Sequence, residues 1–316
     1  MRVMNTRVIA RSGVCVSELT LGMWGLTTGA YGETPVQHPR ACVEAALECG
    51  YRSFDCAPFW AEGESERVVG EVTASRRDEV SYITRVSGAE HDAGLSAFHQ
   101  ACRDQLEGSL GRLKTERVDV LLLNHPPSSL LDERGWDDVF RELQSEGKIR
   151  SWGVSTSRPS TARLALRANP DTLCIPYSLL SSGMLDEISG ELTEANCSVL
   201  ARSPLAYGML GNGWGKFHCF AEGDHRRERW NRRAFEKRIQ QLYALRFLVR
   251  DEVPSMLSAA LRYALAHPSV VTLLHGARTP DQIASAADVI GEPPYLSEDD
   301  LVQVQEILTA AQGLAR

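Results

Sequence analysis

The 316-residue sequence lacks several features that would set it apart from ordinary globular proteins. It has no stretch of about 20 apolar residues, which is the length that a membrane-spanning helix needs. Its first residues contain no apolar segment typical of a secretion signal. The formal net charge of −7 opposes non-specific attraction to nucleic acid or anionic lipid. We therefore expect a cytoplasmic protein that binds neither nucleic acid nor membranes.

The eight cysteines lack the spacing of a metal site. No C-x-x-C pair occurs, and no cysteines stand at zinc-ligand distances from histidines. These absences predict no metal and indicate reduced thiols, most of them small core residues. The one basic cluster, at 226–233, is interrupted by acidic residues, and this pattern predicts a solvated loop or helix face.

What the sequence does contain is a repeat of short apolar runs, each followed by a segment with helical periodicity. Such alternation is typical of βα units, and a content of 43% hydrophobic residues is enough for a sizeable core. The predicted strands are 19–25, 51–55, 80–86, 118–125, 150–155, 173–177, 198–203 and 270–276. The predicted helices include 39–49, 65–73, 97–113, 135–146, 159–168, 185–195 and 253–267.

Parallel strands joined by helices either close a barrel or form an open doubly wound sheet. Eight strands in a chain of this length favour the barrel, and no G-x-G-x-x-G follows an early strand to support the open sheet. Outside the repeat lie a predicted hairpin at 8–16, a polar stretch at 210–233 and a terminal amphipathic helix at 299–312. We predict one α/β domain over 1–316, a (β/α)8 TIM barrel with an N-terminal hairpin and a C-terminal helix.

Position in the predicted barrel is enough to identify candidate functional residues, because sites in such barrels lie at the C-terminal ends of the strands. Asp55 and Arg85 end neighbouring strands, and a salt bridge between them would be either structural or part of a site. His125 precedes two prolines and is either a hydrogen-bonded core residue or a catalyst. The strand-end candidates are Asp55, Arg85, His125, Ser155, Tyr177, Ser203 and His275.

Six segments resemble, in order, the motifs of one known family. The segment DCAPFWAEGESERVVGE, starting at Asp55, is similar to D-T-A-x-x-Y-G-x-G-x-S-E-x-x-x-G of the aldo-keto reductases. The later matches are VDVLLLNHPP, GVSTS, YSLLSS, ARSPLAYGML and LLHGARTPDQI. The resemblance implies an aldo-keto reductase-like barrel that binds NADPH in an extended conformation and transfers a hydride to a carbonyl.

The family's Asp/Tyr/Lys/His tetrad is only half retained. Asp55 and His125 match the aspartate and histidine, whereas Trp60 stands at the tyrosine position and Arg85 at the lysine position. Arginine keeps the cation but does not deprotonate. An indole N–H is too weak an acid to deliver the proton that tyrosine donates. If reduction survives, His125 is the first candidate proton donor and a bound water is the next.

The cofactor contacts that the resemblance implies are also partly changed. Thr156 stands where the family has asparagine, and Cys174 replaces a glutamine that would hold the carboxamide. Tyr177 is expected to stack on the nicotinamide ring, and Arg278 to meet the 2′-phosphate. The full set implied for NADP(H) is Gly22, Met23, Trp24, Ser155, Thr156, Cys174, Tyr177, Ser203, Pro204, Leu205, Gly208, Gly276, Arg278 and Gln282.

Three functions are compatible with these residues. The first is an NADP(H)-dependent oxidoreductase acting on the carbonyl or alcohol of a small molecule, with an atypical proton relay. The second is non-redox acid/base chemistry, dehydration or isomerisation, by Asp55 and His125. The third is a non-catalytic nucleotide-binding member. The mouth of the barrel is expected to be lined by aromatic residues, namely Trp24, Tyr31, Trp60, Trp214 and Phe217.

Overall fold

The computed structural model describes residues 4–32, 38–88, 92–211 and 213–313, and its centre is a closed barrel of eight parallel strands. The strands are β3 (Leu19–Gly22), β4 (Ser53–Asp55), β5 (Ser81–Ser87), β6 (Val118–Asn124), β7 (Ile149–Ser155), β8 (Thr172–Pro176), β9 (Ser198–Arg202) and β10 (Val270–His275). Each strand pairs with the next in sequence, and β10 pairs with β3 to close the ring. The predicted (β/α)8 fold is therefore confirmed.

Strand β3 ends earlier than predicted, because Trp24–Thr27 forms a single helical turn, α1. The Thr27 and Thr28 hydroxyls donate to the carbonyls of Met23 and Trp24 and so satisfy backbone acceptors that a strand neighbour would otherwise take. The prediction of a strand over 19–25 was therefore too long. The apolar run alone carries no sign of this turn.

A β-hairpin closes the N-terminal end of the barrel. Strand β1 (Thr6–Val8) pairs antiparallel with β2 (Cys15–Ser17), close to the predicted 8–16 hairpin. Ile9, Val14 and Val16 of this hairpin belong to the same apolar cluster as the inward-facing barrel residues Ile83, Val120, Leu122, Cys174, Leu200, Val271 and Leu274. Among the described residues, this end is filled with apolar side chains, and the cavity that the strand ends line lies at the opposite, C-terminal end of the strands.

Helices cover the outside of the barrel. They are α2 (Pro39–Glu48), α3 (Glu64–Thr73), α4 (Leu95–Leu113), α5 (Ser128–Asp132), α6 (Asp138–Ser145), α7 (Pro159–Leu166), α8 (Gly183–Glu194), α9 (Arg226–Arg229), α10 (Arg232–Ala244), α11 (Met256–Ala266), α12 (Pro280–Val289) and α13 (Glu298–Gly313). The starts of α11 and α12 are capped by the hydroxyls of Ser255 and Thr279. Within the described chain, no helix combines the length and the apolarity that crossing a membrane requires.

The described residues of the polar stretch at 210–233 cross the open end of the barrel. Asp224 forms an antiparallel bridge with Tyr31, and the His225 backbone N–H donates to the Ala30 carbonyl at 2.9 Å. The stretch includes α9 and continues into α10. A contact between this segment and the loop after β3 thus spans the mouth of the barrel.

Candidate active site

A cavity of about 610 Å³ lies between the strand ends and the segments that cross the mouth. Among the described residues, every barrel strand except β8 contributes a lining side chain or backbone at its C-terminal end. The residues expected from the sequence that line it are Gly22, Trp24, Asp55, Trp60, Arg85, His125, Ser155, Ser203, Pro204, Leu205, Gly208, His275, Gly276, Arg278 and Gln282. Of the expected mouth aromatics, Tyr31 also lines it, whereas Trp214 and Phe217 lie elsewhere.

Asp55 and Arg85 form an ion pair at the bottom of this cavity. The Arg85 Nη2 atom donates to both carboxylate oxygens, at 2.8 and 3.0 Å, and the two residues are only 3% and 4% exposed. Burial raises the pKa of Asp55, and the Arg85 guanidinium opposes that rise. Since arginine stays protonated, its charge and its two hydrogen bonds favour the carboxylate form of Asp55. The same guanidinium reaches Asn124 Oδ1 at 3.4 Å and Cys174 Sγ at 3.8 Å.

Trp60 lies over this ion pair. The guanidinium carbon of Arg85 is 5.3 Å from the centre of the Trp60 ring, within the range of a cation–π contact. Phe59 packs edge-on against the same indole, at 6.4 Å between ring centroids. The position that resembles the family's tyrosine therefore presents an aromatic face, without a phenol, to the cavity.

His125 follows β6 in a left-handed backbone conformation with φ 47°. Its backbone N–H donates to the Ser155 carbonyl at 2.8 Å, which holds the residue at the cavity wall. Desolvation lowers the pKa of the imidazole, and nearby cations lower it further; these are Arg202, Arg85 and Arg158. The ring is therefore neutral at neutral pH and becomes a proton donor only under acidic conditions.

Four expected cofactor residues do not line the cavity. Tyr177 points outward, where its ring stacks on Tyr263 with centroids 5.5 Å apart and meets the edge of His267 at 5.6 Å. The expectation of a stacking platform at this position is therefore wrong, because the ring is already packed against α11. The other three, Met23, Thr156 and Cys174, are buried.

Several lining residues were missed by the sequence analysis, and Arg202 is the most informative. It ends β9 between Pro176 and Leu274 of the neighbouring strands, and its Nη2 atom donates to the Ser157 hydroxyl. A charged residue at the end of a barrel strand is the signal that marks it. The other missed residues include Asn124, Tyr207, Arg226 and Arg229.

The rim of the cavity carries a second group of cations. The guanidinium carbons of Arg226 and Arg278 each lie 4.8 Å from the centre of the Tyr31 ring. Arg226 is also paired with Asp224, and its side chain is only 11% exposed, so the predicted solvated face is wrong for this residue. The Arg278 backbone N–H donates to Gln282 Oε1 at 2.8 Å.

Comparison with known proteins agrees with this barrel. The model of the aldo/keto reductase family matches residues 18–309. The chain belongs to the aldo/keto reductase family. It is 27% identical to the aldo-keto reductase YhdN of Bacillus subtilis over 311 residues, covering 95% of this chain and 92% of that protein.

Two solved structures of aldo-keto reductases share the fold at 25% identity. The glycerol dehydrogenase of Gluconobacter oxydans superposes with a TM-score of 0.80, covering 97% of this chain and 95% of the other. The holo form of an aldo-keto reductase of Bacillus halodurans gives 0.77, covering 96% of both chains. The residues that the sequence resemblance places at the tyrosine and lysine positions of the tetrad, Trp60 and Arg85, both line the cavity of this barrel.

Proposed function

We propose that this protein is an NADP(H)-dependent oxidoreductase that acts on the carbonyl or alcohol of a small molecule, as one domain in the cytoplasm. The observation that carries the proposal is a single cavity that joins the Asp55–Arg85 pair and His125 to a cationic rim around Arg278. Within the described chain none of the eight cysteines forms a disulfide, as is usual for cytoplasmic proteins.

The residues present fit the cofactor at two points. The Ser155 hydroxyl is fully buried at the cavity wall and has no hydrogen-bond partner among the described residues, so it is available to a carboxamide. Arg278 Nη1 is likewise buried without a partner among those residues, and a guanidinium suits the 2′-phosphate. When bound, NADPH supplies the hydride.

The protein's own residues would polarise the substrate and deliver the proton. Arg85 keeps a fixed positive charge near the reacting carbonyl, and Asp55 holds that charge in place. Trp60 covers the pair and limits the access of water. His125, or a water held by it, supplies the proton, at a rate reduced by roughly 10²- to 10⁴-fold where a dedicated acid is missing.

The ion pair argues against the non-redox alternative. Both Asp55 oxygens accept hydrogen bonds from Arg85, so the carboxylate is held as a counter-ion and is poorly placed to exchange protons with a substrate. The Asp55–Arg85 pair and His125 line an accessible cavity, and this arrangement disfavours a non-catalytic role.

The proposal is tested by fluorescence titration with NADPH and NADH. We expect saturable binding of NADPH, weakened about tenfold or more in Arg278→Gln, with NADH affinity unchanged because NADH lacks the 2′-phosphate. Arg246→Gln is the matched control, since Arg246 stacks on Tyr243 away from the cavity lining. No binding of NADPH to the wild-type protein at millimolar concentration would refute the proposal.

A further inference from the structure

Arg202 forms no ion pair with a carboxylate among the described residues. Two other arginines of the cavity are compensated, Arg85 by Asp55 and Arg226 by Asp224. Arg202, which is partly buried, has only the neutral Ser157 hydroxyl as a hydrogen-bond partner within the described chain, and its Nε atom is buried with none. Keeping a partly desolvated cation without a counter-ion is costly, so a bound anion would stabilise it.

The arginines of the cavity form two groups, which differ in the titratable residues that they affect electrostatically. Arg202 lowers the pKa of His125 and opposes the rise in the pKa of Asp55. The rim residues Arg226 and Arg278 act instead on the pKa of Tyr31. Arg202 also contacts Ser157, two residues after Ser155, whose carbonyl accepts from the His125 backbone N–H. Arg202 therefore belongs to the catalytic end of the cavity and not to the cationic rim.

The surroundings of Arg202 suit a carboxylate. Among the described residues, Arg202 Nε is an unused donor beside the positive charge, and Arg202 lines the same cavity as Asp55, Arg85 and His125. Guanidinium–carboxylate hydrogen bonds are among the stronger ones in proteins. The phosphates of a dinucleotide would be bound by two other cations, Arg229 and Arg278, which lie at the rim.

We propose that the substrate carries a carboxylate, bound by Arg202, in addition to the carbonyl that is reduced. This inference rests on the proposed function and narrows its substrate to oxo acids and acid aldehydes. Arg202 then acts as a specificity-determining residue, because it favours an anionic substrate over a neutral one of the same shape.

The test compares 4-formylbenzoate with 4-formylbenzamide, which have nearly the same shape and differ in charge. Calorimetric titration is carried out with the protein alone and with the protein saturated with NADP⁺. In the wild-type protein we expect the carboxylate to bind at least about tenfold more tightly than the amide. Arg202→Gln should abolish this preference, and Arg202→Lys, which keeps the charge, should retain part of it.

Arg246→Gln is the matched control, because Arg246 stacks on Tyr243 away from the cavity lining. Its preference for the carboxylate should equal that of the wild-type protein, and thermal unfolding shows that each variant is folded. The inference is overturned if wild-type protein binds both compounds equally or neither, or if the preference survives in Arg202→Gln. Failure of NADPH binding refutes the proposed function separately, since the titrations without cofactor still report on Arg202.

Discussion

The guanidinium carbon of Arg85 lies 5.3 Å from the centre of the Trp60 ring, and the same guanidinium holds Asp55. The two residues that the sequence resemblance places at the tyrosine and lysine positions of the tetrad are thus in contact with each other. On that assignment, a cation–π contact stands where the family pairs a lysine cation with a tyrosine whose pKa it lowers. The ion pair with Asp55 is present, and Trp60 offers no acidic hydroxyl.

Restoring the phenol should restore proton donation. In Trp60→Tyr we expect kcat/KM for NADPH-dependent carbonyl reduction to rise by about 10²-fold, because the new hydroxyl lies beside a permanent cation. Trp60→Phe is the control for the change in ring size. Equal rates in the two variants would show that the missing hydroxyl does not limit the reaction.

Removing the counter-ion of Arg85 should destabilise the fold. We expect Asp55→Asn to lower the free energy of unfolding by about 3 kcal/mol, because it leaves a charge that is 4% exposed without its partner. The control is Asp78→Asn, whose ion pair with Arg117 is on the surface and is worth about 0 to 1 kcal/mol. Urea denaturation measures both, and similar losses would contradict the prediction.

Proton donation by His125 should give a characteristic pH profile. Desolvation and the surrounding arginines lower the pKa of the ring below its usual value of 6.5, so the imidazolium is scarce at neutral pH. We expect kcat/KM for reduction to increase as the pH falls from 7.5 towards this lowered pKa. In His125→Gln the increase should vanish; a persistent one would assign the proton to another group.

His275 should make the protein less stable in acid. Burial lowers the pKa of its ring to about 4, and its Nδ1 lies 2.9 Å from the Tyr51 hydroxyl. As the pH falls below 6.5, His275 binds a proton in the unfolded chain but not in the folded protein. The free energy of unfolding therefore decreases until the pH reaches the pKa of His275 in the folded protein.

Comparison with His275→Gln isolates this effect. Between pH 7 and pH 4.5, the free energy of unfolding of the wild-type protein should fall by about 2 to 3 kcal/mol more than that of the variant. Denaturant unfolding at both pH values measures the difference. An equal fall in the two proteins would assign the acid sensitivity to other groups.

The sequence predicts most of the barrel fold. Eight apolar runs are predicted as strands, and each contains the core of an observed strand, because parallel strands buried on both faces need continuous apolar residues. Asp55, Arg85 and His125 were predicted from their strand-end positions alone. The structure brings all three to one cavity, since parallel strands direct their C-terminal ends to the same side.

Which way a side chain points was decided only by the tertiary structure. Tyr177 was expected in the cofactor pocket and packs outward on Tyr263, whereas Arg202, on the next strand, lines the cavity. A strand that is apolar on both faces has no alternating pattern to distinguish inside from outside. The sequence by itself therefore determined the barrel and the residues at its strand ends. Packing between strands and helices decided which of them line the cavity, because that depends on neighbours distant in the chain.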